Sequence, residues 1–377
     1  MSRPKHVLHV TGGMDRGGVE TWLMHVLRNR DPEEVHMDFL AHRAGSAAYD
    51  EEIRDHGSKV LSAPHAASPV RYPRELKAIL RHHGPFDAVH SHVHYFSGYV
   101  LAIAAQERVP VRVAHAHVAM GNTSHGDRPR RSPWRLFYEE TMRRLIWRYA
   151  TAGLANSAAS GRDLFGSRWD ADPRFELLQY GFDFSQYAHL GTREGLKVQL
   201  GLDPGTKVIG HVGRFHPQKN HAFLIDLFRT LAARRPDVHL LLVGGRGNVD
   251  EVRSAIERLG LSERCTIAGE TFEVAPYLGA MDVMVFPSLF EGLGIVVVES
   301  QAAGVPVVAS FAVPPEADVI PGLVTRLALD AGEHAWIDAI DRRLNEPVYP
   351  RDAAATALGA SSFAIETCLR GLMSVYG

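Results

Sequence analysis

The sequence predicts an α/β protein built from two similar units, each a parallel sheet covered by helices. Short β-rich runs alternate with helical stretches along almost the whole chain, and that alternation implies parallel strands joined through helical crossovers. Glycines and charged residues recur just past the predicted strand ends, the edge at which open parallel sheets bind ligands. A length of 377 residues is enough for two cores rather than one.

In the first half, strands are predicted at His6–Thr11, His36–Ala41, Lys59–Ser62, Ala88–Ser91, Val111–His115 and Gly153–Asn156. The opening, MSRPKHVLHV, alternates as a strand does and lacks the apolar run of a secretory signal. Helices fall at Val19–Arg28, Tyr49–His56, Pro73–His83 and Phe96–Glu107. In the second half, strands are predicted at Lys207–Val212, Val238–Val243, Cys265–Ala268, Val283–Phe286 and Val307–Ala309. The helices between and after them are Ala222–Arg235, Val249–Leu259, Val274–Ala280, Ile295–Ala303 and Glu333–Asn345. Tyr187–Pro204 carries little β signal and several glycines and charges, so the junction is placed there. The stretch Ala353–Tyr376 reads as one helix, because Phe363, Ile365, Leu369, Leu372 and Met373 fall near helical spacing.

Composition narrows the function classes. A hydrophobic content of 45% with 22% charged residues is that of a soluble globular protein. A net charge of −2 gives no basic field, so no nucleic-acid partner is expected. No apolar run approaches the roughly 18 residues of a membrane span. The two cysteines, Cys265 and Cys368, lie far apart and fit reduced thiols in a cytosolic setting. Among 21 histidines, His90, His92 and His94 alternate, as do His115 and His117. Residues two apart on a strand share a face, so a metal site is one reading. No Asp, Glu or Cys completes a ligand shell nearby, and histidines lining a cleft or the end of a sheet are the expectation.

The most informative stretch is Phe286–Ser300, FPSLFEGLGIVVVES. An apolar strand runs into a loop, Glu291-Gly292-Leu293-Gly294, and then a helix begins that carries Glu299. Backbone N–H groups at a helix start point outward and the dipole favours an anion there. Ionised acids accept hydrogen bonds from hydroxyls and repel phosphate. Phosphate plus several hydroxyls describes a nucleotide sugar. Eight residues along a helical path span about 12 Å, beyond the roughly 5–9.5 Å of a glycosidase carboxylate pair. Two separate contacts on one elongated ligand suit that spacing better.

Other predicted strand ends carry the same theme. Lys207–Val212 ends in Gly213-Arg214 and, five residues on, Lys219-Asn220. Two cations so placed can straddle a diphosphate, since charge-assisted bonds to phosphate are strong. The first strand ends in a loop from Gly12 to Glu20 that includes Gly17 and Gly18. Val19-Glu20 stands where a Walker loop has Lys-Ser/Thr, so it is not one. Gly269 follows the strand Cys265–Ala268, and His117 lies just past Val111–His115.

The spacing of Glu291 and Glu299, the run Pro-Ser-Leu-Phe-Glu-Gly-Leu-Gly and the Gly-Arg-x5-Lys-Asn stretch resemble the family 4 retaining glycosyltransferases. The resemblance is specific over 207–318 and diffuse in the first half. Val313-Pro314-Pro315-Glu316 after Ser310, with Glu-Ser-Gln-Ala-Ala-Gly, looks like the capsule and exopolysaccharide branch. The resemblance implies the GT-B fold: two Rossmann-like domains, 1–190 and 191–355, facing each other across a cleft. The helix over 356–377 would cross back to the first domain. It implies sugar transfer from a nucleotide-diphosphate sugar (UDP- or GDP-linked) to a glycan or lipid-linked acceptor, with retention, without metal or cofactor. Arg214 and Lys219 then hold the diphosphate, helped by N–H groups of Gly292, Leu293 and Gly294. Glu299 holds the ribose, and Glu291 holds the donor sugar, with a covalent route through it left open. Gly17 and Gly18 face the donor phosphate and Gly269 the nucleobase. His117, or His115 in its place, lines the sugar site. Tyr180 stands where the family usually has Asn.

Two questions stay open on the sequence. Arg128, Arg130, Arg131, Arg135, Arg143, Arg144 and Arg148 interleave with Trp134, Phe137, Leu145 and Trp147. That pattern suits a basic amphipathic helix at the inner face of a membrane, or equally a helix with solvated arginines. The chain also reads as a nucleotide-sugar 2-epimerase of the same fold, as a non-catalytic sugar-binding subunit, or as a transferase acting on a small acceptor.

Overall fold

The computed structural model describes residues 3–15, 17–118, 132–245, 247–271 and 273–377. They form two compact units. The first contains residues 3–118 and 132–182 with Ser362–Gly377, and the second is Asp183–Ser361.

The first unit is a seven-stranded sheet: β1 (Lys5–Thr11), β2 (Val35–Ala41), β3 (Val60–Ser62), β4 (Ala88–Ser91), β5 (Val111–Ala116), β6 (Ala152–Ala155) and β7 (Phe175–Leu177). Its order is β3-β2-β1-β4-β5-β6-β7, and every pairing is parallel. Sheets covered by helices on both faces read as continuous apolar runs. Here Leu8, Val10, Val89, Ala114 and Ala155 pack beneath Leu101, Ile146 and Leu164. The helix Ala158–Phe165 starts at a reciprocal cap: Ser157 Oγ accepts the Ser160 N–H, and Ser160 Oγ accepts the Ser157 N–H.

The second unit is a six-stranded parallel sheet: β8 (Lys207–Val212), β9 (Val238–Val243), β10 (Cys265–Gly269), β11 (Val283–Phe286), β12 (Val307–Ser310) and β13 (Val324–Leu327). Its order is β10-β9-β8-β11-β12-β13, all parallel. Ile209, Leu240, Val283 and Val308 pack against Phe228, Leu231, Trp336 and Ile340.

Both sheets therefore reverse strand order once, between β1 and β4 in the first unit and between β8 and β11 in the second. Ligands of doubly wound folds bind outside the carboxyl ends of the strands at that reversal.

Three features depart from the sequence reading. Edge strands β7 and β13 went unrecognised, because one is three residues long and the other is only half-buried, so neither carries a strong apolar signal. The stretch expected as a single helix over Ala353–Tyr376 is two, Arg351–Gly359 and Ile365–Tyr376. Between them Ala364 lies extended beside Phe182, whose N–H donates to Phe363 O at 2.9 Å while Ile365 N–H donates to Phe182 O at 3.2 Å. The last helix packs in the first unit, where Trp22 Nε1 donates to Cys368 Sγ at 3.4 Å.

Candidate functional site

In the second unit, the loops that follow β8 and β11 are tied into one structure. The Leu289 N–H donates to Gln218 O at 2.8 Å. Gln218 Nε2 donates to Phe290 O at 2.8 Å, and Asn220 Nδ2 donates to Pro287 O at 3.2 Å. Lys219 Nζ then reaches Glu291 Oε1 at 2.6 Å, and lies 4.4 Å from the centroid of the Phe286 ring. Gly213 makes this approach possible: a Cβ there would sit 3.0 Å from Lys219 Cε. Arg214 is exposed on the same loop.

Expectation gave Lys219 and Glu291 separate ligand groups. The structure also pairs them with each other, which sequence spacing could not show, because the residues sit 72 apart on different loops. Gly292 and Leu293 are buried, and Gly294 caps the helix Ile295–Ala302 at φ +81. That left-handed backbone suits glycine, which carries no Cβ. Glu299, on this helix, accepts the Tyr187 hydroxyl at 3.0 Å. Burial pushes the Glu299 carboxyl above its usual range, and the Tyr187 bond pulls the other way. Tyr187, from the short helix Ser185–Ala188, carried no motif in the sequence. Gly269 ends β10 at a register shift against β9, and its carbonyl accepts the Gly244 N–H at 2.9 Å.

The first unit ends in different chemistry. Gly17 precedes the helix Gly18–Asn29 and accepts the Thr21 N–H at 2.9 Å. Its loop is held by an ion pair between Asp15 and Arg43. Next to it, the β1–β4–β5 edge gathers imidazoles. His9 and His90 are Cα partners across β1 and β4, and the period of two brings His92, His115 and His117 alongside. His9 Nδ1 lies 3.0 Å from His92 Nε2, and His92 Nδ1 lies 2.8 Å from His117 Nε2. His117 Nδ1 meets the Tyr180 hydroxyl at 2.5 Å. His115 Nδ1 lies 3.1 Å from His90 Nε2, and His90 Nδ1 lies 2.7 Å from the Tyr376 hydroxyl.

Burial alone pulls His9 down to about 3. Burial, with a smaller effect from His94, brings His117 to a similar value. Burial first, then neighbouring imidazoles, hold His90, His92 and His115 well below the ordinary range. The cluster is therefore neutral at pH 7. His117 is 7% exposed and His115 fully buried, so of the two candidates for the sugar site His117 is the one that shows an edge to solvent. The alternation of His90 with His92 and His115 with His117 was legible. The contributions of His9, Tyr180 and Tyr376 were not, since strand order decides which side chains meet.

Among the described residues, three groups bring metal-type ligand atoms within 4.8 Å of one another: His9, His90 and His92; His92, His115 and His117; and His6, His36 and Asp38.

The helix Pro133–Tyr149 is less basic at its surface than its composition suggests. Arg135 pairs with Glu139 at 2.9 Å, and Arg143 and Arg144 pair with Glu140 at 3.0 and 2.9 Å. Arg143 also donates to the carbonyls of Leu164 and Asp163, and Trp147 Nε1 donates to Phe165 O at 2.8 Å. Arg143 and Trp147 are thus committed to the interior of their unit rather than to an outer face. Trp134 and Phe137 are exposed, at 75% and 62%. Arg128, Arg130 and Arg131 lie outside the described residues. Among the described residues, no helix is long and apolar enough to cross a membrane.

Comparison with known proteins places this geometry. Residues 192–358 match the family described as Glycosyl transferases group 1, and residues 17–181 match the Glycosyl transferase 4-like domain. The "Putative glycosyltransferase EpsF" of Bacillus subtilis (strain 168) is 33% identical over 378 residues, covering 100% of this chain and 97% of that protein. The D-inositol 3-phosphate glycosyltransferase of Frankia alni is 31% identical over 313 residues, covering 78% of this chain and 74% of its own. Among solved structures, Anabaena HepE in complex with UDP and glucose superposes with a TM-score of 0.78 at 21% identity, with 98% of each chain covered. WaaG, a glycosyltransferase involved in lipopolysaccharide biosynthesis, gives 0.71 at 17%, covering 98% of this chain and 99% of that one. The chain belongs to the family 4 glycosyltransferases and has the GT-B α/β fold.

Proposed function

We propose that this chain moves a hexose from a nucleotide-diphosphate sugar (UDP- or GDP-linked) to a glycan or lipid-linked acceptor in capsule or exopolysaccharide assembly. Transfer proceeds with retention of configuration and requires no metal. The observation that carries the reading is the Lys219–Glu291 pair, held on stitched loops at the strand-order reversal beside the start of a helix. The EpsF-type name of one relative and the UDP and glucose bound by HepE agree with it.

Cleavage of the anomeric bond places developing charge on the departing diphosphate. We assign Lys219, Arg214 and the N–H groups of Gly292–Gly294 to meet it, since cations and amide donors placed at developing charge lower the barrier. Each 1.36 kcal/mol of selective stabilisation gives about tenfold in rate. A diphosphate that takes Lys219 releases Glu291 to accept from the donor sugar's hydroxyls. Glu299, oriented by Tyr187, accepts from the ribose. Gly269 contacts the nucleobase. In the first unit, Gly17 and Gly18 are assigned to the donor phosphate and His117 to the sugar. Calorimetric titration of UDP-glucose and GDP-mannose into the parent, Lys219→Ala and Glu299→Ala tests the assignment. Unchanged affinity in both variants rejects it. Product analysis with donor alone separates transfer from 2-epimerisation.

Trp134 and Phe137 stack at 5.7 Å, fully outside the core, on a helix that also carries Arg144 and Arg148. We assign this face of the helix to an anionic lipid surface bearing the acceptor. Co-flotation with anionic vesicles that is lost in Trp134→Ser/Phe137→Ser supports the assignment, and equal flotation of both proteins rejects it.

A further inference from the structure

We propose that His92, His115 and His117 form a binding site for a divalent transition-metal ion of the zinc type at the β4–β5 edge of the first unit. The three imidazoles come from two adjacent strands, and their ligand atoms fall within 4.8 Å of one another. Each uses one nitrogen outward. His117 Nδ1 is held by the Tyr180 hydroxyl at 2.5 Å, His92 Nε2 by His9 Nδ1 at 3.0 Å, and His115 Nδ1 by His90 Nε2 at 3.1 Å. Metal-binding imidazoles almost always donate their other N–H to such an outer partner, which fixes ring and tautomer. With protons on those engaged nitrogens, the lone pairs left for an ion are those of His92 Nδ1, His117 Nε2 and His115 Nε2.

His115 Nε2 is buried without a hydrogen-bond partner, as is His9 Nε2 in the neighbouring trio, and coordination removes such a cost. One detail separates the two sets. His90 has both nitrogens engaged, with Tyr376 and His115, so the set His9, His90 and His92 lacks a third lone pair. His92 Nδ1 and His117 Nε2 stand 2.8 Å apart. Without an ion, one of them must carry the proton between them. A tetrahedral ion with bonds of about 2.0–2.1 Å separates its ligand nitrogens by about 3.3 Å, so capture needs only a modest widening. Imidazole nitrogens without carboxylates suit zinc, copper or nickel and exclude calcium or magnesium. His92 is only partly buried, which gives the ion an entry side and leaves room for a water as fourth ligand.

The ion would not serve sugar transfer. On the reading of His117 as a donor-sugar residue, an ion on its Nε2 takes that nitrogen away and inhibits. Binding is measured apart from activity, so failure of one claim does not imply failure of the other.

The test uses the tag-free full-length chain and Zn2+ alone, by competition with a chromophoric chelator. Co2+ substitution provides a visible absorption band for a low-coordinate site. The expected result is one tight ion per chain. Loss of an outer-shell partner costs about 10–100-fold in affinity, so Tyr180→Phe should weaken binding by at least tenfold. His92→Gln, which removes a ligand, should weaken it by about 100-fold or more. His36→Ala, which breaks the separate His6–His36–Asp38 group, should leave it unchanged. No tight ion in the parent overturns the proposal. So does binding that survives His92→Gln and Tyr180→Phe or that disappears with His36→Ala. Melting curves confirm that the variants are folded, and Tyr180→Phe carries the test should His92→Gln unfold.

Discussion

At the carboxyl ends of β1, β4 and β5, the first unit presents imidazoles that bond to one another and carry no charge at pH 7. At the carboxyl ends of β8 and β11, the second unit presents an ammonium–carboxylate pair on loops stitched by backbone bonds. The two sheets share parallel pairing and a single order reversal. The scaffold therefore does not decide the chemistry; the residues placed on it do. In the first unit these residues sit on or just past strands, where period two and strand order set their contacts. In the second they sit on loops, where glycine backbone and side-chain-to-carbonyl bonds set them.

The contrast breaks most sharply at Lys219. Removing its ammonium takes away a cation proposed for the diphosphate and leaves Glu291, 8% exposed, without its Lys219 partner. Lys219→Ala should lower kcat/KM roughly 100–1000-fold, the loss seen when a preorganised donor to developing charge is deleted. It should also cost roughly 1–3 kcal/mol of stability, the penalty of an unsatisfied buried group. Lys219→Ala/Glu291→Ala should recover part of the stability and none of the activity, read from urea midpoints beside initial rates. A double variant less stable than the single one would mean the pair is not what holds the two loops together.

The charged edge was the more legible of the two in sequence. Glu-Gly-Leu-Gly and Gly-Arg-x5-Lys-Asn are local patterns, and each contains the residues that later meet. Their union was hidden, because nothing local tells Lys219 that Glu291 is its neighbour. The neutral edge was half visible. Alternating histidines show on β4 and β5, but His9 enters only once β1 is known to lie beside β4. Tyr376 enters only once the last helix is known to pack in the first unit. The split of that helix was illegible for a related reason. Its apolar spacing continues through the break, and the break is made by a long-range pairing with Phe182.

A second prediction sharpens the neutral edge. His117→Ala, assayed with a chelator present, should cost up to about tenfold in kcat/KM, the worth of one net hydrogen bond to substrate. His115→Ala should act through stability instead, because its ring is fully buried beside Trp22 and His90. If His115→Ala keeps the parent's urea midpoint and loses more activity than His117→Ala, the roles are reversed.

Smaller again is Tyr187→Phe. It removes the hydroxyl that Glu299 accepts at 3.0 Å and leaves the ring in place. The loss of one intramolecular bond, about 0.5–1.5 kcal/mol, should appear as a several-fold rise in donor Kd with kcat nearly unchanged. A loss in kcat alone would move Glu299 from binding the ribose to the reacting end of the donor.

The mildest effect concerns Glu299 itself and is a matter of sign. Burial raises its carboxyl in the folded state, and the Tyr187 bond only partly opposes this. Below the ordinary Glu value of about 4.3, folded and unfolded chains both hold the proton, and the group is neutral to stability. As pH rises, the unfolded chain releases the proton first. The folded chain then binds more protons than the unfolded one, so stability falls with pH until the folded carboxyl has also ionised. Glu299→Gln keeps an oxygen for the Tyr187 hydroxyl and has nothing to titrate. Its thermal midpoint relative to the parent should therefore improve on going from pH 4 to pH 8. A difference that stays flat across that range would show that the folded protein leaves the Glu299 carboxyl at its ordinary acidity.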